Sequence, residues 1–92
     1  TGLGPCDILA RSKDKTEFLI IEMKKGRASD KVIGQLTRYM GAIKNKLSRN
    51  NEKVKGCIIA YEDDKNLRSS LSVLTDIDFY AYKISFSLEK IK

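Results

Sequence analysis

The stretch FLIIEMKKGRASD, residues 18–30, runs four apolar residues into an acid, a methionine and two lysines before it reaches a glycine. Residues 16–24, which include its first part, are apolar and β-branched enough to form a strand. A buried strand gains nothing from ionised groups unless they are paired, solvated or bound to a ligand. Because Glu22 and Lys24 are two residues apart, they lie on one face of that strand. The stretch therefore predicts a functional site where the strand ends.

A second predicted strand, residues 6–11, precedes this one, and a polar turn at residues 12–15 separates the two. The spacing favours a hairpin. With Asp14 and Lys15 as a two-residue loop, residues whose numbers sum to 29 face each other, so that Asp7 lies opposite Glu22. Both carboxylates then project from one face at one end of the sheet. A register shifted by one residue would place them on opposite faces.

A helix and a third strand are predicted next. Ser29 or Asp30 is a credible N-cap for a helix whose apolar residues recur at helical spacing. Residues 54–61, VKGCIIAY, form a nearly continuous apolar run. Such a run is typical of a central strand that is covered on both faces.

The last elements are a shorter helix, capped by Asp63 or Asp64, and an aromatic-rich strand over residues 77–86. Two strand-helix-strand crossovers imply parallel pairing, which adds to the antiparallel hairpin. The sequence therefore predicts an α/β fold with a mixed β-sheet, flanking helices and the order β-β-α-β-α-β.

The composition limits the classes of protein to which this chain can belong. The 92 residues suffice for one small domain, and 41% hydrophobic with 33% charged residues is typical of a globular chain. No apolar run approaches a membrane span, and nothing resembles a signal peptide.

Cys6 and Cys57 lie in apolar segments without a zinc motif, which favours reduced core residues of an intracellular, cytoplasmic protein. A net charge of +6 favours polyanionic partners such as nucleic acid, although many basic proteins do not bind DNA.

Asp7, Glu22 and Lys24 form the cluster that suggests chemistry. Carboxylate oxygens are the ligands that magnesium prefers, and a lysine beside a metal-bound water can hold that water and oppose charge growing on a phosphate. The chain has no histidine, so carboxylates and a lysine are the remaining candidates for ligand and base. The alternative is a solvated strand end with a cross-strand ion pair, which is common and contributes little stability.

Gln35 and Tyr39 lie one helical turn apart beside the apolar stripe, and packing of the helix would direct both toward the sheet. The alternative is that Gln35 is a boundary residue and Tyr39 a core residue with a solvated hydroxyl. The convergence of a glutamine, a tyrosine, two acids and a lysine at one end of the sheet favours a catalytic site.

Several segments carry a resemblance to a known family: GPCD at residues 4–7, EMKKGRAS at 22–29, GQLTRYMG at 34–41 and GCIIA at 56–60. With them the chain resembles, over nearly its whole length, the nuclease domain of the archaeal and actinobacterial NucS/EndoMS endonucleases. That group belongs to the PD-(D/E)XK, restriction-endonuclease-like superfamily. The bare D…E-x-K pattern is unspecific, whereas K-G-R-A-S combined with G-Q-L-x-R-Y-M-G is specific.

The resemblance implies a role for each matching residue. Asp7 and Glu22 would bind Mg2+ or Mn2+, with help from the backbone carbonyl of Met23. Lys24 would position or activate the attacking water. Gln35 would steady the site, as the glutamine of a Q-x-x-x-Y motif.

The same motif implies that Tyr39 lies near the DNA backbone. Lys25, Arg27 and Arg38 are further candidates for phosphate contacts, because they flank the cluster. For each of these three, the alternative is a solvated surface charge.

The family also implies features that this sequence lacks. A helix normally begins the superfamily core, and no such helix precedes Thr1; the N-terminal domain that supports dimerisation and DNA binding in NucS/EndoMS proteins is missing too. Residues 1–92 are therefore expected to be a single nuclease domain with a restriction-endonuclease-like core lacking its first helix. It is expected to be a C-terminal fragment of a longer protein, and the alternative is a stand-alone minimal version.

The leading hypothesis from sequence is a metal-dependent endodeoxyribonuclease that hydrolyses phosphodiester bonds in branched, single-strand-bearing or mismatched DNA. A symmetric homodimer would suit the cutting of both strands. The alternative is a catalytically silent nucleic-acid-binding module of the same fold, for which salt-sensitive, metal-independent DNA binding is expected.

Overall fold

The computed structural model describes residues 7–47 and 52–92. In chain order the elements are β1 (Ile8–Arg11), β2 (Glu17–Met23), α1 (Asp30–Lys46), β3 (Lys53–Tyr61), α2 (Lys65–Leu71) and β4 (Ile77–Tyr82). The strands make a sheet of order β1-β2-β3-β4, in which β1 is antiparallel to β2 and β3 is parallel to both β2 and β4. The predicted α/β fold with a mixed sheet is confirmed, and so is the order of its elements.

The register of the hairpin is the predicted one. Ile8 pairs with Ile21 and Arg11 with Phe18, so that the numbers of facing residues sum to 29. The guanidinium of Arg11 also lies over the Phe18 ring, 5.0 Å from its centroid, which shows that both side chains share one face. Cys6, the predicted start of this hairpin, lies outside the described residues.

The predicted two-residue loop at Asp14 and Lys15 is wrong. The loop spans residues 13–16, because the N–H of Ser12 donates to the carbonyl of Glu17 at 2.9 Å and closes the ladder there. The backbone N–H of Lys15 donates to the carbonyl of Ser12 at 3.0 Å, and Lys15 has a left-handed backbone conformation with a φ of 59°. The longer loop adds one residue on each side, and the register is therefore unchanged.

Both helices lie on the same face of the sheet. α1 packs on β2 and β3, while α2 packs on β4 and on α1. The largest fully buried side chains lie between these helices and the sheet: Ile20, Leu36, Ile43, Ile58, Leu67 and Val32. Within the described ranges, no helix is long and apolar enough to cross a bilayer.

Among the described residues, no helix packs on the opposite face of the sheet, which corrects the prediction that the central strand is covered on both sides. Leu19, Met23 and Tyr80 on this face are 37%, 52% and 60% exposed. The reason is topological: both right-handed crossovers advance in the same direction across the sheet, and each places its helix on the same side. Cys57 is nevertheless buried, as predicted, and its thiol is free.

The helix starts agree with the predicted caps, whereas the last strand is shorter than predicted. Ser29 is the N-cap of α1, and Asp64 is the N-cap of α2, where its carboxylate accepts a hydrogen bond from the N–H of Leu67 at 2.9 Å. β4 ends at Tyr82 rather than at residue 86, because its partner strand β3 ends at the facing Tyr61. The apolar side chains beyond that point are exposed: Ile84, Phe86, Leu88 and Ile91.

Gly56 lets α1 approach the sheet closely, and its substitution should cost stability. A Cβ at Gly56 would lie 2.8 Å from the sulfur of Met40 and 2.9 Å from a methyl of Leu36. Met40 can move, but Leu36 is fully buried. We expect overpacking to lower the free energy of unfolding of Gly56→Ala by about 1–3 kcal/mol. Replacing a glycine in a strand by alanine otherwise raises that free energy by only about 0.5–1 kcal/mol, so the net effect should be a loss.

Thermal unfolding would measure this effect as a fall in Tm of about 4–8 °C per kcal/mol. Gly41→Ala is the matched control, because nothing lies within 4 Å of a Cβ there and α1 should gain helix propensity. Equal Tm values for the two variants would contradict the close packing at Gly56.

Candidate active site

The sheet brings Asp7 and Glu22 to one edge. Glu22 lies in β2, on the face of buried Phe18 and Ile20 that the helices cover. Asp7 immediately precedes β1, and continuing the observed register places it opposite Glu22. Its Oδ2 accepts a hydrogen bond of 2.6 Å from the N–H of Met23. The two carboxyl groups therefore occupy one face at the carboxyl end of β2.

These two acids differ in their surroundings. Glu22 is only 7% exposed, whereas Asp7 is exposed to solvent. Burial raises the pKa of Glu22, and the nearby Asp7 carboxylate raises it further, while the Lys24 ammonium lowers it. A shielded acid next to a second negative charge is an unfavourable arrangement by itself. A cation between the two carboxylates would offset that repulsion.

Lys24 directly follows β2 and is half-buried. Its backbone N–H donates to the carbonyl of Ile59 at 2.8 Å, which extends the pairing of β2 with β3 by one hydrogen bond. Its ammonium group is close enough to lower the pKa of Glu22. The structure thus brings together Asp7, Glu22 and Lys24.

Gln35 and Tyr39 are placed differently from each other on α1. Gln35 is exposed, and Tyr39 is half-buried and packs against the hydrophobic core. The buried stripe of α1 follows Val32, Leu36 and Ile43. Tyr39 therefore lies beside this stripe, while Gln35 is turned to solvent, and the expectation that both point toward the sheet does not hold for Gln35. A role of Gln35 in steadying the site and of Tyr39 near DNA stays a prediction.

The flanking basic residues also differ. Lys25 and Arg38 are exposed on the surface. Arg27 forms an ion pair with Glu62, with 2.6 Å between Nη2 and Oε2. This contact lowers the pKa of the Glu62 carboxyl and raises that of the Arg27 guanidinium. Arg27 is thus held by an acid of the chain itself, while its phosphate contact stays a prediction together with those of Lys25 and Arg38.

The donor set suits a hard divalent cation that keeps water ligands. In residues 7–47 and 52–92, no three acidic, cysteine or histidine side chains converge as a metal site would need for a protein-only shell. The described residues place two carboxylates at this edge, and the carbonyl of Met23 stays a predicted third donor. Magnesium is commonly held by one or two carboxylates and several waters, so Asp7 and Glu22 fit that requirement.

Sequence reasoning missed Tyr82. The hydroxyl of Tyr82, at the end of β4, lies 3.1 Å from the carbonyl oxygen of Lys24 and 3.0 Å from that of Lys25. The only signal in the sequence was the aromatic character of the last strand. That pattern indicates a strand but not which residue contacts the main chain of Lys24.

Comparisons with known proteins agree with this architecture. The family model described as "Endonuclease NucS C-terminal domain" matches residues 1–79. The crystal structure of a repair endonuclease from Pyrococcus abyssi is similar, with a TM-score of 0.65 and 20% sequence identity over 85% of this chain. The chain spans 32% of that protein, so the likeness concerns the fold of one part of it. No curated protein matches the sequence.

Proposed function

The chain belongs to the family of endonuclease NucS C-terminal domains, and we propose that it is a metal-dependent endodeoxyribonuclease. The observation that carries this proposal is the shielded carboxylate of Glu22 beside Asp7, at the edge of the sheet where Lys24 follows. This edge combines hard oxygen donors for a metal ion with the ammonium group of Lys24, which can face a phosphate.

The roles proposed for the site follow from its charges. Asp7, Glu22 and the carbonyl of Met23 would hold Mg2+ or Mn2+. When bound, such an ion polarises a phosphoryl oxygen and makes a water a better nucleophile. Lys24 would orient that water and oppose the negative charge that grows on the scissile phosphate. Gln35 would steady this arrangement from α1.

The proposed substrate is DNA with branches, single-stranded regions or mismatches, as in DNA repair in the cytoplasm. The net charge of +6 supports a polyanionic substrate. Lys25, Arg27, Arg38 and Tyr39 would contact the backbone, and such contacts hold the duplex without reading its sequence. A symmetric homodimer would present two such sites to the two strands.

Metal dependence is the direct test. We expect labelled flap and mismatch duplexes to be cut in Mg2+ or Mn2+, not to be cut in excess chelator, and to be cut again when Mg2+ is restored. Asp7→Asn should lose this activity, because it removes one of two charged ligands. Asp63→Asn is the control, since Asp63 is a surface acid that pairs with Arg68. Cutting that survives chelation, or equal cutting by both variants, would contradict the proposal.

A second candidate is a nucleic-acid-binding module of the same fold without turnover. The exposed position of Gln35 and the presence of only two acidic side chains at the described site favour it. It predicts DNA binding that weakens steeply with salt and does not depend on metal, because neutralising phosphates releases counterions. Binding without any product in Mg2+ or Mn2+ would select this candidate over the nuclease.

A further inference from the structure

The segment that carries Lys24 begins where the pairing of β2 ends. Met23 and Ile59 are the last paired residues of β2 and β3, and one further hydrogen bond joins Lys24 to Ile59. Residues 24–27, here called the lysine loop, then leave the sheet. A long, flexible lysine side chain can act at a fixed point only if its backbone is fixed as well.

The ends of β3 and β4 provide that restraint. The N–H of Tyr61 donates to the carbonyl of Gly26 at 3.1 Å, and Arg27 pairs with Glu62. Glu62 is in turn tied to β4, because its N–H donates to the carbonyl of Tyr82 at 3.1 Å. The lysine loop is therefore attached to the two strands that follow it in the chain.

Tyr82 makes a further attachment, to the part of the lysine loop that includes Lys24. Its hydroxyl is within hydrogen-bond distance of two successive carbonyls of the lysine loop, those of Lys24 and Lys25. Its ring is 5.7 Å from the ring of Tyr61, tilted by 57°, and this packing limits where the hydroxyl can go. A rigid aromatic ring thus places a donor at the point where the backbone of Lys24 leaves the sheet.

We propose that Tyr82 is a positioning residue for the reaction: its hydroxyl fixes the carbonyls of Lys24 and Lys25, so that the Lys24 ammonium stays beside Glu22. The inference rests on the proposed nuclease function. Tyr82 acts through the backbone of Lys24, with no contact to the substrate required. Loss of the hydroxyl should therefore impair turnover more than DNA binding.

Tyr82→Phe tests this inference, since it removes one oxygen and keeps the ring that packs on Tyr61. We expect kcat to fall about tenfold, the value of one hydrogen bond of about 1.4 kcal/mol, with KM unchanged. Tyr80→Phe is the matched control, because Tyr80 lies on the same strand and face and is 60% exposed. It should retain the wild-type kcat.

A double-mutant cycle with Lys24→Gln separates positioning from a general structural role. If Tyr82 acts through Lys24, Tyr82→Phe should have no further effect on kcat once the ammonium is gone. The same tenfold loss in both backgrounds would overturn the inference, and so would an unchanged kcat in Tyr82→Phe. An inactive wild-type protein would reject the proposed function, and the inference would fall with it.

Amide hydrogen exchange gives a readout that does not depend on activity. The N–H of Tyr61 is protected by the carbonyl of Gly26 in the lysine loop. We expect this amide to exchange faster in Tyr82→Phe than in the wild type, because the loop has lost one attachment. The Tyr80→Phe variant should exchange at the wild-type rate, and faster exchange in that control alone would count against the bracing by Tyr82.

Discussion

Glu22→Gln is expected to abolish DNA cleavage and at the same time to raise the stability of the metal-free protein. The loss of a proposed charged metal ligand should remove several kcal/mol of transition-state stabilisation, which corresponds to a fall in kcat of about 10³-fold or more. Glutamine keeps the size of the side chain, so the change acts on charge rather than on packing. Loss of activity should thus not reflect loss of the fold.

The expected gain in stability follows from the direction of the pKa shift. Burial raises the pKa of Glu22 in the folded state, so the folded chain binds this proton more tightly than the unfolded chain does. Stability therefore falls as the pH rises from the ordinary glutamate range through the raised pKa. Above it, the ionised carboxylate destabilises the fold, and Glu22→Gln removes that cost. In acid, where the carboxyl is protonated in both states, the two proteins should be equally stable.

Scanning calorimetry in metal-free buffer at several pH values, together with a cleavage assay, measures both effects. Added Mg2+ should raise the Tm of the wild type and not that of Glu22→Gln, because the ion binds the intact site. Glu17→Gln is the matched control, since Glu17 also lies in β2 but forms a surface pair with Lys55. A lower Tm at neutral pH, or cleavage by Glu22→Gln at the rate of the control, would contradict the assignment.

Local sequence pattern was sufficient for the hairpin register and the helix caps, and insufficient where a distant strand decides the outcome. The alternation of β1 and β2 fixes which residues face the core, so the pairing of Ile8 with Ile21 followed from spacing even though the loop length was wrong. Which face of the sheet the two helices cover depends instead on strand order. The end of β4 at Tyr82 depends on where β3 ends, at Tyr61. The alternation of residues 77–86 predicts neither the position of the helices nor the end of β4.

The same division applies to the site. Asp7 and Glu22 could be brought together from sequence because one hairpin joins them. Tyr82 and Lys24 are separated by 58 positions, and their contact is between a hydroxyl and a main-chain carbonyl. Every residue has a main-chain carbonyl, so a sequence motif cannot show which carbonyl accepts the hydrogen bond. Such supporting contacts become visible only when the strands are assembled.

Lys24→Gln is expected to lower kcat by about 10²–10³-fold, the typical cost of removing one group that stabilises charge in the transition state. KM should change little, because Lys24 lies beside Glu22 rather than on the outer surface. The variant should also raise the pKa of Glu22, since the ammonium that lowers it is gone. A carbon NMR titration of the Glu22 carboxyl would measure this shift in the metal-free protein.

Lys25→Gln provides the contrast, because Lys25 is the exposed neighbour of half-buried Lys24 in the same loop. As a proposed phosphate contact, it should raise KM, leave kcat unchanged and make the salt dependence of DNA binding less steep, by about one ion in the slope. If Lys24→Gln behaved like Lys25→Gln, with weaker binding and a normal kcat, Lys24 would belong to the DNA-binding surface. Catalysis would then have to proceed without an ammonium group beside Glu22.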